Sequence, residues 1–378
     1  MNKSIKKLET PCVLVDDHKL KYNIREMQEK ANVSGVFLRP HIKTHKSLYI
    51  AAMQMNAGAI GITTAKISEA MLFLKAGFPS ITIAYPIVDV SKMIRLLKAA
   101  KTHLTDLYLI CDSKVCFQTI LESTDEVAYP VSVYIKIDVG LNRCGFKPND
   151  PMIVKMAVEI NAAQRMYFKG LLSHAGHVYG AVNRLEVRRI AREQVLILYS
   201  IKNKLSQAGI IVEHISVGAT PTLVSAQKIE GISEIRPGNY VFLDRTPLHQ
   251  GLVERTDIAL SVLATVISEN EDYYIIDAGS KVLSSDIGAH GTKNFSGYGL
   301  VYPLKEFPEI QSEFIVEKLS EEHGFVKKRK EYLMKIGERV RIIPNHACAV
   351  MNLTNYFYLV NEKRVVKKLS VDARGMVV

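Results

Sequence analysis

The stretch Val36-Phe37-Leu38-Arg39-Pro40-His41-Ile42-Lys43-Thr44-His45-Lys46 decides the fold, because a short strand pattern ends there in a basic loop. The same change recurs up to about Asp244, as short β-branched runs alternate with amphipathic helical patterns. Eight strands alternating with helices over about 210 residues predict a (β/α)8 TIM-type barrel, with a doubly wound open sheet as the alternative. The predicted strands are Val36–Arg39, Ala59–Thr64, Ser80–Tyr85, Asp106–Cys111, Val131–Asp138, Phe168–Ser173, Glu213–Val217 and Ser233–Ile235, and the clearest predicted helices are Ser91–Lys101, Met152–Ala163 and Asn183–Ala208.

The pattern changes after Asp244, where strands follow one another with glycine and turn residues between them. This predicts a second, mostly β domain. The opening strand, Cys12–Val15, precedes the first helix and has no place in an eight-stranded barrel, so we expect it to join the β domain. The predicted division is a barrel over residues 17–245 and a β domain over residues 1–16 plus 246–378. The predicted strands of the β domain are Asp257–Ser268, Tyr273–Asp277, Arg339–Ile343, Tyr356–Val360 and Val365–Leu369.

Length and composition exclude several classes of protein. With 378 residues, 48% apolar and 23% charged, the chain can bury a sizeable core and is not intrinsically disordered. No run approaches 18 apolar residues and residues 1–15 contain no signal-peptide core, so we expect no membrane association and a cytoplasmic location. The five cysteines form no C-x-x-C pair. We expect Cys12, Cys111, Cys116 and Cys144 to be reduced and buried.

The net charge of +11 invites a nucleic-acid interpretation, but the distribution of charge opposes it. Lysines and arginines are scattered and mostly alternate with acids. The densest run, Lys327–Lys330, lies between acidic residues and is predicted to be a solvated loop. A nucleic-acid or regulatory binding protein built on a barrel is the alternative of another class, and only the net charge supports it.

Lys43 stands where a barrel places its active site, beyond the carboxyl end of the first strand. A lysine amine is a nucleophile that forms Schiff bases with carbonyl groups, although a lysine in a basic loop is more often a solvated charge. The loops after the seventh and eighth strands, Ser216–Thr222 and Arg236–Tyr240, contain small and hydroxyl residues whose backbone N–H groups can approach an anion. Their position in the barrel predicts a phosphate site.

Two further loops contain candidate site residues. The loop after the fifth predicted strand contains Arg143, which either faces an anionic cofactor group or pairs with Asp138. The loop after the sixth contains His177 and Tyr179, candidates for an acid–base group and a cofactor contact. A structural histidine is an equal alternative for His177.

His346 and Cys348 lie two residues apart on a segment predicted to be extended, so their side chains point to the same side. Imidazole and thiolate together suit a zinc ion. Two protein ligands are fewer than the usual three or four, so a structural pair is the alternative. A catalytic metal would be completed by a further ligand or by water and substrate.

Taken in order, these motifs resemble those of the fold-type III pyridoxal 5′-phosphate (PLP) enzymes, which share the alanine racemase-like fold. The resemblance is strongest to the branch of zinc-dependent D-serine dehydratases and D-threonine aldolases, and it runs over nearly the whole chain. The segments that carry it are Arg39–Lys46, Asp138–Phe146, Ser216–Thr222, Glu234–Asp244, Ile276–Asp286, Pro344–Cys348 and Asp372–Gly375.

The resemblance implies a role for each candidate residue. Lys43 would carry PLP as a Schiff base, Arg143 would lie beside the pyridine ring, and Tyr179 would contact the cofactor. His346 and Cys348 would bind Zn²⁺ or another divalent cation such as Mn²⁺. The enzyme would be a homodimer in which the partner's β domain completes each site. The phosphate-binding loops are matched by Gly218, Thr220, Gly238 and Asn239.

The implied activity is that of a PLP-dependent lyase acting on small β-hydroxy-D-amino acids. In the favoured hypothesis, which is D-serine dehydratase-like, Lys43 removes the Cα proton and zinc assists loss of the β-hydroxyl, giving pyruvate and ammonia. In the D-threonine aldolase-like alternative, a base such as His177 takes the hydroxyl proton and the Cα–Cβ bond cleaves to glycine and an aldehyde. Racemase-like and non-catalytic PLP-binding proteins are the remaining options. The His-x-Cys form of the metal pair, rather than His-x-Asp, favours the dehydratase.

Overall fold

The computed structural model describes residues 4–291, 296–304, 313–330, 332–362 and 364–378. Eight parallel strands form its first sheet, and hydrogen bonds close that sheet into a ring. Ile60 N–H donates to Leu38 O at 2.9 Å and Thr63 N–H donates to Pro40 O at 2.8 Å, which joins the first strand of the ring to the second. The (β/α)8 barrel is therefore confirmed, and the open sheet is wrong. The strands are β2 (Phe37–Leu38), β3 (Ile62–Thr64), β4 (Ser80–Ile83), β5 (Asp106–Cys111), β6 (Val131–Ile137), β7 (Met166–His174), β8 (His214–Gly218) and β9 (Glu234–Arg236), in the order β2-β9-β8-β7-β6-β5-β4-β3.

Helices follow the barrel strands and begin at polar capping residues. The side chains of Asp16, Asp89, Ser113 and Asn183 each accept a hydrogen bond from the backbone N–H three residues later. These bonds satisfy N–H groups that a helix leaves free at its start. The three predicted helices are confirmed within two residues. The helices are α1 (Asp17–Ser34), α2 (Leu48–Asn56), α3 (Ile67–Lys75), α4 (Val90–His103), α5 (Lys114–Val127), α6 (Met152–Ala162), α7 (Arg184–Gln207), α8 (Thr220–Ser225) and α9 (Arg245–His249).

The second sheet has nine strands and is mostly antiparallel. It contains the opening strand β1 (Cys12–Asp16), which pairs antiparallel with β10 (Leu260–Glu269) and parallel with β16 (Tyr356–Asn361). The division of the chain at residues 16/17 and 245/246 stays a prediction. The other strands are β11 (Tyr273–Ile276), β12 (Gly299–Pro303), β13 (Phe314–Leu319), β14 (Gly324–Lys327), β15 (Arg339–Pro344) and β17 (Arg364–Ser370), the sheet order is β11-β14-β13-β12-β15-β10-β1-β16-β17, and the remaining helices are α10 (Ser280–Leu283) and α11 (Ala347–Leu353).

Five strands predicted after Asp244 are confirmed, but β12, β13 and β14 were missed. Lys327 is the last residue of β14, so the predicted loop at Lys327–Lys330 is wrong for its first residue. These strands carry few β-branched residues and several charges, and long-range pairing rather than local pattern makes them strands.

Paired polar side chains fill the middle of the barrel. Arg39 Nε donates to Glu234 Oε2 at 2.7 Å and Arg39 Nη1 donates to Ser80 Oγ at 2.6 Å. The guanidinium lies 4.5 Å from the centre of the Tyr108 ring. Ser216 Oγ donates to the other Glu234 oxygen at 2.6 Å. Because each buried charge has a partner, the network can support the strand ends that carry the site.

No helix within the described ranges has the length and apolar character needed to cross a bilayer. All five cysteines are unpaired. Cys12, Cys111 and Cys116 are buried as predicted, whereas Cys144 is only half-buried because it lies in the loop after β6 at the barrel mouth.

Candidate active site

Lys43 lies in a short 3₁₀ turn, Ile42–Thr44, just beyond the carboxyl end of β2. Its backbone N–H donates to His41 Nδ1 at 3.4 Å. Burial lowers the pKa of the Lys43 amine, and the positive charges of Arg143 and Arg236 contribute to this, while Cys348 opposes it. A lowered pKa leaves more of the amine unprotonated, which is the form that attacks carbonyl groups.

The loop of Lys43 touches the predicted metal pair. Thr44 Oγ1 lies 3.2 Å from Cys348 Sγ, and His346 Nδ1 lies 2.9 Å from Asp286 Oδ2. Burial opposes charge on both members of the pair, but their mutual attraction prevails. It raises the pKa of His346 to about 10 and lowers the pKa of Cys348. The lowered pKa favours the thiolate, the form of the sulfur that binds a metal, while the imidazole would have to release its proton.

The carboxylate of Asp286 binds one ring nitrogen of His346, the kind of hydrogen bond by which carboxylates orient metal-binding histidines. No group of three or more His, Cys, Asp or Glu residues suited to a metal occurs in the part of the chain that the structure describes. A metal at this pair would therefore keep open positions for water or substrate, as catalytic zinc does.

Two glycine turns border Lys43 where backbone must come close to neighbouring groups. A Cβ on Gly238 would lie 2.7 Å from Thr44 Oγ1, and a Cβ on Gly218 would lie 3.1 Å from His174 Nδ1. Larger residues would push these turns away from the mouth. The turns follow β9 and β8, which is the location predicted for a phosphate site.

Thr220 and Asn239 begin the short helical segments that follow these turns. Asn239 Nδ2 donates to Asp244 Oδ2 at 2.8 Å, which uses one of the two N–H groups of its side-chain amide. Thr220 contributes to the pKa shift of the Tyr179 hydroxyl, so the aromatic residue lies beside the same turn.

Arg236 was quoted in the sequence motif but was not assigned a role. It is 4% exposed and forms the end of β9. Its Nη2 donates to Ser173 O at 2.8 Å and its Nη1 to Ser216 Oγ, yet its Nε is buried without a hydrogen-bond partner in the described structure. A buried donor of this kind indicates a ligand contact. An arginine ending the last barrel strand was the signal in the sequence.

Positive charge is concentrated around the mouth. Burial lowers the pKa of Lys136 to about 8, and Arg236 and Arg143 contribute to the shift. Burial and the charge of Lys43 hold the pKa of His174 well below its usual range. These groups together favour a bound anion, which would relieve their mutual repulsion.

Arg143 lies exposed in the loop after β6, and its charge acts on Lys43 and Lys136. The alternative that it pairs with Asp138 is wrong. Asp138 binds Lys147 Nζ at 2.7 Å and accepts backbone N–H groups of its own loop. Arg143 therefore stays available at the mouth.

His177 lies apart from the group around Lys43. Its ring packs against Gly140, and the charges that act on it belong to Glu193, Asp138 and Arg189. The structure does not bring it together with the metal pair, and its acid–base role stays a prediction.

His174, which the sequence argument passed over in the same motif, lies within the group. Its Nε2 is 3.3 Å from His290 Nε2. The Tyr179 ring centre is 6.5 Å from that of His174 and 5.1 Å from that of His290. Tyr179 thus lies beside both histidine rings, and its contact with a cofactor stays a prediction. His290 comes from the connection between β11 and β12, and nothing in its local sequence distinguished it.

Known proteins are similar to this chain in sequence. Residues 15–246 match the alanine racemase N-terminal domain, and residues 259–360 match the putative serine dehydratase domain. D-threo-3-hydroxyaspartate dehydratase of Delftia sp. (strain HT23) is 33% identical over 92% of this chain and 93% of the relative. D-serine dehydratase of Dictyostelium discoideum is 31% identical over 95% of both chains, and D-threonine aldolase of Arthrobacter sp is 27% identical over 98% of this chain and 93% of the relative.

Solved structures agree in fold. A cysteine-to-alanine mutant of D-threo-3-hydroxyaspartate dehydratase in the metal-free form superposes with a TM-score of 0.88 at 31% identity, covering 97% of this chain and 98% of that one. The similarity therefore extends over both sheets.

Proposed function

This chain belongs to the fold-type III PLP-dependent lyases that include the D-serine dehydratases and D-threonine aldolases, and we propose that it eliminates the β-hydroxyl of a β-hydroxy-D-amino acid, with D-serine as the preferred substrate. The products from D-serine are pyruvate and ammonia. The observation that carries the proposal is the contact of the Lys43 loop with the metal-ligand pair, through Thr44 and Cys348 at 3.2 Å. It brings a nucleophilic amine and a Lewis-acid site to one mouth.

The residues at the mouth fit PLP. The unpartnered Nε of Arg236 and the two glycine turns suit a ligand with anionic groups. Lys43 would hold the cofactor covalently, Arg143 and Tyr179 would lie beside it, and the phosphate site would use the backbone of the glycine turns. When bound, PLP supplies an electron sink for the bond broken at Cα. The residues proposed for the phosphate are Gly218, Thr220, Gly238 and Asn239.

The pair His346 and Cys348 fits a divalent cation, for which we propose Zn²⁺ because thiolate and imidazole are the ligands that zinc prefers. A metal there supplies Lewis-acid assistance to the departing hydroxyl. Asp286 orients the His346 ring, and Thr44 donates to or accepts from the Cys348 sulfur. The contact with Thr44 places the pair against the loop of Lys43.

Lys43 has the second task of moving the substrate's Cα proton. Its lowered pKa leaves more of the amine unprotonated, which is the form that takes a proton. The rings of His174, Tyr179 and His290 lie together, with centres 5.4 Å apart for His174 and His290 and 5.1 Å apart for Tyr179 and His290. Burial and nearby cations keep His174 and His290 neutral, with the pKa of His290 lowered to about 4. A neutral imidazole ring can donate or accept a hydrogen bond at the substrate without adding positive charge.

Elimination is favoured over aldol cleavage on three grounds. The metal pair has the His-x-Cys form, and the dehydratases described above are 33% and 31% identical against 27% for the aldolase. His177, the base invoked for aldol cleavage, lies among Glu193, Asp138 and Arg189 rather than beside Lys43.

Product identification tests the proposal. The purified protein is incubated with PLP and Zn²⁺ and then with D-serine, D-threonine or D-threo-3-hydroxyaspartate. We expect a 2-oxoacid and ammonia, fastest from D-serine. Exhaustive chelation should abolish turnover and added Zn²⁺ should restore it. Glycine plus acetaldehyde from D-threonine would reject elimination, and full activity without metal would reject the role of His346 and Cys348.

We also propose a homodimer in the cytoplasm. Apolar side chains that follow the carboxyl ends of β4 and β7 are exposed at the mouth, namely Tyr85, Val88, Val182 and Leu185. A second copy that covered them would bury this surface and narrow the entrance. Five unpaired cysteines agree with a reducing compartment.

A further inference from the structure

The segment Val371–Val378 holds the far side of the loop that carries Lys43, and the proposed function leaves it without a role. Leu48 N–H, at the start of α2, donates to Asp372 Oδ2 at 2.7 Å. Ser370 Oγ donates to the other Asp372 oxygen at 2.6 Å. An acidic side chain from the segment after the last strand thus caps the helix that follows the Lys43 loop, 324 positions away in sequence.

Lys46 makes a second connection to the same segment. It is 5% exposed, and its Nζ lies 3.3 Å from Glu69 Oε1 and donates to Met376 O at 3.1 Å. Its carbonyl oxygen accepts from Ala373 N–H at 2.9 Å. Its backbone has φ of +49°, a left-handed conformation that is costly for a residue with a side chain. These contacts compensate the cost and fix where the loop turns into α2.

The connection reaches the Lys43 turn directly. Lys46 N–H donates to Ile42 O at 2.8 Å, which closes the turn containing Lys43. On its opposite side the turn meets Gly238 and Cys348 through Thr44. Lys43 therefore lies between the glycine turn and metal pair on one side and the segment 371–378 on the other.

We propose that Lys46 and Asp372 are positioning residues, which hold the Lys43 amine in the orientation that binds PLP and takes the substrate proton. The inference rests on the proposed function, because it assumes PLP on Lys43. It requires reciprocity: if the segment favours PLP binding, PLP binding must in turn stabilise the segment. Neither residue touches the substrate, so their loss should affect kcat and PLP affinity more than KM.

The test compares Asp372→Ala with Asp372→Asn in the PLP-loaded enzyme. The alanine variant loses the cap, whereas asparagine keeps an acceptor oxygen. For Asp372→Ala we expect the PLP dissociation constant to rise and kcat for D-serine to fall by about tenfold to a hundredfold, with KM changed less than about threefold. Asp372→Asn should recover most of the PLP affinity and most of kcat. Lys46→Arg, which keeps the positive charge, should bind PLP more tightly and have a higher kcat than Lys46→Met. Visible absorbance measures PLP on Lys43 independently of turnover.

Arg374→Ala is the matched control, because Arg374 lies in the same segment but donates to Asn355 Oδ1, away from the Lys43 loop. It should leave kcat and PLP affinity unchanged. Hydrogen exchange of the Leu48 and Ala373 amides in the unmodified chain supplies a readout that needs no variant to fold. Both should exchange more slowly with PLP bound.

The outcomes separate the two proposals. If the unmodified chain binds PLP on Lys43 and forms pyruvate, while Asp372→Ala behaves like it or PLP leaves both amides unprotected, the positioning role alone is overturned. The positioning role would also be overturned if Asp372→Ala and Asp372→Asn had the same kcat and the same PLP affinity. If the unmodified chain forms no PLP adduct on Lys43, the proposed function falls together with the inference.

Discussion

Arg39 and Arg236 are buried guanidinium groups on neighbouring barrel strands, 1% and 4% exposed, and they differ in how they are satisfied. Arg39 has a carboxylate on its Nε, a hydroxyl on its Nη1 and an aromatic ring at 4.5 Å. Arg236 reaches the same carboxylate, Glu234, only through Ser216, and its Nε has no partner within the residues described. The first arginine belongs to the structural interior, and the second keeps a donor for a ligand. We therefore expect the paired charges in the middle of the barrel to contribute to stability. The surplus positive charge at the mouth is expected to contribute to ligand binding.

The largest expected effect on activity comes from substitution of Lys43, which lies at the mouth of the barrel. Lys43→Ala should abolish PLP attachment and lower kcat/KM by about 10²–10⁴-fold or more, since it removes both the nucleophile and the base. Stability should not fall, because a buried amine whose pKa burial lowers does not favour folding. Visible absorbance, steady-state kinetics and urea unfolding measure the three quantities.

Lys43→Arg is the control for charge. Arginine keeps the positive charge but forms no Schiff base, so PLP attachment should be lost equally. An arginine variant that retains the visible band, or an alanine variant that unfolds, would contradict the separation of mouth from interior.

The next effect concerns the interior. Glu234→Gln leaves Arg39 buried without its counter-charge and should lower the free energy of unfolding by about 3–5 kcal/mol. Urea denaturation of the PLP-free chain measures this. The exposed pair Arg189 and Glu193 provides the comparison, because Arg189→Ala there should cost at most about 1 kcal/mol. Equal losses of unfolding free energy from the two substitutions would show that the interior pair contributes no more to stability than the exposed pair.

The smallest effect should come from Lys136, which is 4% exposed at the mouth and has its pKa lowered to about 8 from 10.5. Below about pH 8 both folded and unfolded states bind the proton, and the folded state bears the full cost of the buried charge. Between about pH 8 and 10.5 only the unfolded state binds it, so stability rises with pH. Lys136→Met should therefore stabilise the PLP-free chain by about 1–3 kcal/mol at pH 7.

That advantage should shrink as the pH rises from about 8 to 10. Urea unfolding at a series of pH values gives both curves, with Lys147→Met, an exposed lysine at the same mouth, as the control. A stabilisation that is independent of pH would indicate better packing rather than removal of a buried charge.

The sequence by itself determined the barrel and the place of Lys43 beyond its first strand, whereas the role of His346 and Cys348 as metal ligands stays a prediction. Strand and helix periodicities are local, and parallel barrel strands all carry their carboxyl ends to one face, so a lysine after the first strand and glycine turns after the last two had to meet. The expectation that His346 and Cys348 share an extended segment is wrong, because His346 is the N-cap of α11 (Ala347–Leu353) and Cys348 lies in its first turn. Local pattern was weaker in the second sheet, where β12, β13 and β14 depend on pairing with distant strands.

Only the tertiary structure decided which histidine joins the site. His174 and His177 belong to one motif, but the turn after β7 directs the first towards Lys43 and the second towards Glu193. His290 beside His174 and Asp372 beside Leu48 are likewise contacts across more than a hundred residues. Such contacts depend on how loops from two sheets pack at one mouth, and residue spacing does not encode that packing.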